Sequence, residues 1–382
     1  MEKTGYMKAI HFITSIDKTS GGTTVYLQLL LRPLSESVEV VLATQKTANP
    51  ADIIGAEIRY FDLSIFNLKK LRKNFNLFLI AEKPDIVHIN GIWEIQNYIL
   101  QREAEKLNIP VVITPHGMLE PWIMNRHPWK KKIAMALYQR RAIKNATCIH
   151  STADMEFENL KKFGFKQDFA LIPNGIDIES IMCKNNVDSK KTILFLSRIH
   201  TKKGVDLLID AFQQLGEIRN GWQVLIAGDG ERDYIKGLQD KINGYGLTNS
   251  IHFIRSVYGN DKFELFRNAD IFVLPTFCEN FGYVVVEALA CGTPVITTKG
   301  APWSDLEKYK CGWWIDLGVK PLVNALKDAI NKESAELLNM GLKGRQLVEM
   351  KYTSKMVSER MVELYNWIIT KKNKPDFLYQ QK

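Results

Sequence analysis

Short apolar runs that stop at glycine, proline or polar residues alternate along this chain with longer segments of helical spacing. That rhythm predicts parallel strands joined by crossover helices. Lys8–Thr14 is rich in strand formers, and Glu39–Ala43 and Glu57–Phe61 read as further short strands. Pro84-Asp85-Ile86-Val87-His88-Ile89-Asn90 is a strand with a polar end, where His88, Asn90 and Trp93 are expected to face a cleft. Trp93 has two readings, a place in the core or rim and a contact to an acceptor. Pro110–Thr114 delivers Pro115-His116-Gly117-Met118 to the same rim. Cys148–Ser151 repeats the pattern, Asp154–Phe163 reads as a helix capped by Ser151 or Thr152, and Phe169–Ile172 follows.

Lys184 to Lys191 is polar and aperiodic, which suits an interdomain linker. Beyond it the rhythm starts afresh. Thr192–Ser197, Gln223–Ala227 and Ile251–Ile254 read as strands, and Ile271–Leu274 is a fourth, stopped by Pro275. Tyr283 to Ala290 reads as a helix closed by Gly292, and strands at Pro294–Thr298 and Cys311–Ile315 come last. Met356, Met361, Leu364, Trp367 and Ile368 are spaced for one face of an amphipathic helix. The expectation is an α/β protein of two doubly wound parallel sheets, with domains at 1–185 and 190–360 and a terminal segment at 361–382.

Length and composition agree with this. The 382 residues suit two domains, and 46% hydrophobic content supports an ordinary core. Five cysteines, odd in number and without metal-ligand spacing, read as reduced thiols of a cytoplasmic protein. No run of about 20 apolar residues is present that would span a membrane. The net charge of +9 is unevenly spread. Between Pro121 and Ala153 there is no acid, while Arg126, Lys130, Lys131, Lys132, Arg140, Arg141 and Lys144 are all basic. Such a segment is either a solvated helix face or a site for an anionic partner, a phospholipid surface or a nucleic acid.

The candidate chemistry gathers at strand ends. Glu279 and Glu287 flank the turn after Pro275, with Asn280, Phe281 and Gly282 between them. Helix N-termini at such corners favour phosphate. Arg198 and Lys203 lie five apart in the loop after Thr192–Ser197, with Lys202 an alternative to Lys203; a guanidinium and an ammonium there can clamp a leaving diphosphate. Gly21 and Gly22 lie between the first strand and its helix and permit close approach of a phosphate or sugar. His116 stands before a glycine at a strand end.

The Glu279-x7-Glu287 spacing, the Gly292–Ile296 run GTPVI, the Arg198/Lys203 pair and the His116–Trp122 stretch together resemble the retaining GT-B glycosyltransferases of the large family four. The resemblance covers Gly21 to about Trp367, and Arg255 departs from it by standing where a glycine is common. It implies a C-terminal helix crossing back to the first domain. It also implies a donor site of Gly21, Gly22, Arg198, Lys203, Asn280, Phe281, Gly282 and Glu287, with Glu279 and His116 at the reacting sugar. The implied activity is retaining, metal-independent transfer of a hexose, without a cofactor, from a nucleotide diphosphate sugar to a glycan acceptor on a lipid carrier. The expected setting is bacterial surface polysaccharide or lipopolysaccharide synthesis at the inner face of the cell membrane. Alternatives are a GT-B nucleotide-sugar epimerase and a basic nucleic-acid-binding protein. Against the latter, the basic segment has few aromatics and no RNA-binding motif, so nucleic acid is not an expected partner.

Overall fold

A computed structural model describes residues 6–186 and 190–380. In the first half the apolar runs form β1 (Met7–Phe12), β2 (Val38–Thr44), β3 (Glu57–Tyr60), β4 (Ile86–Asn90), β5 (Val111–Thr114), β6 (Cys148–Ser151) and β7 (Asp168–Leu171). All seven pair in parallel, β1 lying between β2 and β4. Their side chains are apolar on both sheet faces because helices cover both. Ala9 and Leu42 pack into one buried cluster with the Gly22–Leu34 helix, whereas Ile10, Val87 and Ile113 pack into another with Leu71 and Phe75.

The second half forms β8 (Thr192–Leu196), β9 (Gln223–Ala227), β10 (Ile251–Ile254), β11 (Ile271–Leu274), β12 (Val295–Thr298) and β13 (Gly312–Ile315). Their order is β10-β9-β8-β11-β12-β13, a doubly wound sheet whose order reverses at β8 and β11. One continuous core fills both of its faces.

The last strand, β14 (Leu378–Gln380), belongs with the first sheet, pairing antiparallel with β7. It follows the Ser354–Thr370 helix, which buries Met361, Leu364, Trp367 and Ile368 against the Gly22–Leu34 helix. The chain therefore returns to its first unit, as the resemblance implied.

The two units divide after Gly175, and the return begins at Ser354, where the sequence pattern had put the changes at 185 and 361. Hydrogen bonds hold the intervening residues to the second unit. The Arg345 guanidinium donates to the Ile181 and Ala290 carbonyls, and the Lys184 N–H donates to the Cys291 carbonyl. Of the expected linker, residues 187–189 lie outside the described residues.

Candidate functional site

In the second unit the loop after β11 is stitched to both neighbours. The Phe277 N–H donates to the Lys202 carbonyl at 2.8 Å on one side, and the Glu279 N–H donates to the Gly300 carbonyl at 2.7 Å on the other. Close packing makes two glycines necessary. A Cβ on Gly204 would lie 2.1 Å from the Pro275 carbonyl oxygen, and one on Gly300 would lie 2.6 Å from that of Phe277. This stitching brings Lys203 and Glu279 together, the ammonium donating directly to Oε1. The Thr276 hydroxyl lies 3.2 Å from the same oxygen. Both charged side chains are largely buried, at 14% and 12% exposure, so their attraction is less screened than on an open surface. Arg198 is exposed and has no ion pair among the described residues.

Gly282, at φ +78°, turns the chain into the Tyr283–Ala290 helix. Phe281 was expected at the donor. Its ring is instead buried among Tyr283, Trp303 and Tyr352, while its carbonyl accepts the Trp303 indole N–H. The ring anchors the loop, and Glu279 and Asn280 before it stay partly accessible. Glu287, buried on the helix, accepts from Lys262 at 2.7 Å. Burial pushes its carboxyl up from the ordinary value and Lys262 opposes that. Nothing in the local pattern signalled Lys262, which lies on the neighbouring Gly259–Asn268 helix.

In the first unit the loop after β1 is held by Asp17, which accepts from the Thr19 N–H and hydroxyl and from the Asn49 N–H. Gly21 takes φ +79°, and a Cβ there would meet nothing within 4 Å. Its glycine serves the backbone angle and leaves open space at the start of the Gly22–Leu34 helix.

His88 and Asn90 do not face an open rim. Both are buried, His88 against the Tyr365 hydroxyl of the returning helix and Asn90 between His11 and His116. Trp93 is half-buried at φ +84°, its indole N–H donating to the Met118 carbonyl and its backbone N–H to Gln139. That favours its structural reading.

His116 is 8% exposed and sits in the left-handed region at φ +52°, a conformation that non-glycine residues adopt at a cost. Its Nε2 meets Asn90 Oδ1 at 3.3 Å, and Tyr26 packs edge-on against the ring. Burial, and His150 nearby, lower its pKa to about 3. The next N–H, that of Gly117, donates to Glu156 at 2.5 Å. Glu156 also accepts from the Thr152 N–H and hydroxyl, and so pins the His116 turn to the end of β6. Burial pushes the Glu156 carboxyl up to about 7 against these three hydrogen bonds. This corrects the expected helix cap. Asp154–Lys162 has Ala153 at its N-cap with no side-chain cap, and Thr152 is taken by Glu156.

The basic segment folds as helical pieces over Pro121–Met124, Pro128–Ala134, Met135–Gln139 and Arg140–Asn145. Trp129, Ile133 and Leu137 are 60%, 51% and 74% exposed, four residues apart on one face. Tyr138 instead points inward, its hydroxyl donating to the Trp93 carbonyl. Lys131 donates to the Ile123 and Arg126 carbonyls, where a lysine satisfies helix-end acceptors. Lys130, Lys132, Arg140, Arg141 and Lys144 remain exposed.

Two Rossmann-like units, each built on a parallel sheet covered by helices, are the architecture of the GT-B class. A family model described as Glycosyltransferase Family 4 matches residues 20–180, and one described as Glycosyl transferases group 1 matches residues 177–346. The chain belongs to the GT-B glycosyltransferases of the family-four type. A phosphatidyl-myo-inositol mannosyltransferase of Mycobacterium leprae is 32% identical over 149 residues, 37% of each chain. A capsular polysaccharide biosynthesis glycosyltransferase of Staphylococcus aureus is 28% identical over 204 residues, 50% of this chain and 53% of that one. The Anabaena protein HepE, solved in complex with UDP-glucose, superimposes with a TM-score of 0.73 at 18% identity, over 94% of this chain and 99% of that one. The matches span between 32% and 50% of the length of the first curated relatives.

Proposed function

We propose that the chain moves a hexose from a nucleotide diphosphate sugar to a hydroxyl of a lipid-linked glycan, with retention at the anomeric carbon and without a metal. The observation that carries this reading is the Lys203–Glu279 pair at the end of β11. It sets a cation for departing phosphate beside a carboxylate for the sugar. Glu279 holds the hexose hydroxyls and steadies positive charge developing at C1. Lys203, Arg198 and the N–H groups after Gly282 take the negative charge of the departing diphosphate. The bond from C1 to the diphosphate oxygen breaks as the acceptor oxygen bonds to C1 on the same face, and the acceptor proton passes to the leaving phosphate. Glu287 accepts from the ribose hydroxyls, and His116 meets a hydroxyl of the sugar. A UDP-glucose complex of a structural neighbour supports the donor class, and relatives named for polysaccharide and phosphatidylinositol substrates support the acceptor class.

The exposed Trp129, Ile133 and Leu137 face, flanked by lysines and arginines, supports seating of the first unit on anionic lipid at the inner membrane face. The test of the whole reading is a panel of UDP-, GDP- and ADP-sugars assayed for binding, with product configuration read by NMR. One donor should bind and give a retained linkage in excess EDTA. Loss of transfer in EDTA restored by Mn²⁺ would overturn metal independence. Turnover of donor without acceptor would redirect the reading to epimerisation.

A further inference from the structure

Four histidines lie buried under the strand ends of the first unit, His11, His88, His116 and His150, and one line of hydrogen bonds joins them. Its direction is forced from one end. His150 Nε2 lies 2.8 Å from the Ile172 carbonyl, which can only accept, so Nε2 carries the proton. Burial keeps the ring neutral, which leaves Nδ1 to accept from the Thr114 hydroxyl at 2.8 Å. With its only proton used, Thr114 accepts from His88 Nε2 at 2.6 Å. His88 Nδ1 then accepts from the Tyr365 hydroxyl at 2.6 Å, and Tyr365 accepts from His11 Nε2 at 3.0 Å. His11 Nδ1 accepts from Asn90 Nδ2 at 3.4 Å, and the same amide nitrogen lies 3.3 Å from the Phe12 carbonyl, which fixes the orientation of the amide. Asn90 Oδ1 is thereby turned to His116 Nε2 at 3.3 Å.

We infer that Asn90, its amide nitrogen held by backbone carbonyls and by His11 Nδ1, is the positioning residue that holds His116 as the neutral tautomer protonated on Nε2, so that Nδ1 is presented to accept a hydrogen bond from a substrate hydroxyl. The inference rests on the proposed reading that His116 meets the sugar. Nδ1 forms no hydrogen bond among the described residues. Tyr26, whose ring packs on His116, has a buried hydroxyl without a partner among them. Because Tyr365 lies on the returning helix, docking of that helix completes the line that ends on the Asn90 amide. A histidine so held selects a hydroxyl donor and disfavours a group that can only accept.

The test is the two-bond ¹H–¹⁵N spectrum of the full chain with labelled histidine at pH 7.5, assigned with single His→Gln variants. All four buried rings should be neutral with the proton on Nε2. Asn90→Ala removes the amide and should turn the His116 signal into a tautomer mixture, whereas Tyr365→Phe leaves the Phe12 carbonyl holding the amide and should leave His116 protonated on Nε2. In Asn90→Ala the donor KM should rise about threefold to tenfold, the effect of one hydrogen bond. His116 protonated on Nδ1, or charged, in the unaltered chain overturns the inference without any variant. An unchanged His116 signal in Asn90→Ala also overturns it. The spectrum needs no substrate, so a chain that transfers no sugar yet shows the Nε2 proton loses the functional reading alone.

Discussion

In the first unit the backbone N–H of Lys8 donates to Asp85 Oδ2 at 2.9 Å, and in the second that of Thr192 donates to Asp270 Oδ2 at the same distance. Each aspartate precedes the strand that pairs beside the unit's first strand, so one device registers β4 on β1 and β11 on β8. The units differ at the opposite ends of those strands. In the first, neutral groups meet there in a dry line of histidines, a threonine, a tyrosine and an amide. In the second, charges meet in pairs, Lys203 with Glu279 and Lys262 with Glu287. A buried neutral network needs every partner in place and gives orientation. Paired charges can exchange a protein partner for a ligand of the same sign. Under the proposed function, this difference suits the first unit to orienting hydroxyls and the second to managing a leaving diphosphate.

Acid should break the comparison most strongly. Burial leads the lowering of the pKa values of His11 and His116 to about 3 and of His150 to about 4, and His88 is also held well below its ordinary value. An unfolded chain takes up these protons below about 6.5, so the stability is present above that pH and is lost as pH falls toward the folded values. At pH 5 each of the three valued histidines costs about 2 kcal/mol. Glu156 runs the other way. Its carboxyl, raised to about 7, contributes stability as pH falls through that value, offsetting about one histidine. Limited proteolysis at pH 7.5 and pH 5 should therefore show the first unit opening before the second. Simultaneous opening, or a second unit that opens first, would remove the contrast.

Glu279→Gln tests the charged side. Turnover should fall on the order of 10²–10³, as when other electrostatic stabilisers are lost, with donor binding changed less. Initial rates near those of the unaltered chain would show that the pair with Lys203 has no part in the reaction. Glu287→Gln should act on binding instead, weakening the donor about ten- to a hundredfold by calorimetry, the worth of a charged hydrogen bond. The smallest effect belongs to the basic segment. Replacing Lys130 and Lys132 with glutamate should release the chain from anionic liposomes at about 1 kcal/mol for each lysine removed, with transfer to a soluble acceptor retained. Lys131 is left in place because it holds two helix-end carbonyls. Equal pelleting with neutral liposomes would argue against charge as the cause.

Much of this was legible in the chain. β9, β10 and β11 and the Tyr283–Ala290 helix fall on the residues the pattern marked, since short apolar runs ended by Gly, Pro or a polar residue and helices closed by Gly are local signals. The site was legible only in part. The sequence singled out Lys203 and Glu279, though 76 residues apart, and gave no sign that they touch. The burial of the Phe281 ring was not legible, because an aromatic in a loop shows no sign of the three rings that bury it. Glu156 and Tyr365 went unnoticed because a glutamate and a tyrosine within helical patterns carry no local mark.

Local chemistry by itself determined the order of elements, the strand-end loops and the residue types that the proposed function assigns to a diphosphate and a sugar. Those properties follow from side-chain spacing and from glycine and proline, which act within a few residues. Only the tertiary structure decided which groups stay charged, which proton each histidine holds and which nitrogen His116 presents. Those depend on desolvation and on partners as distant as His11 and Tyr365, 354 positions apart, which a closed core alone brings within 3.0 Å.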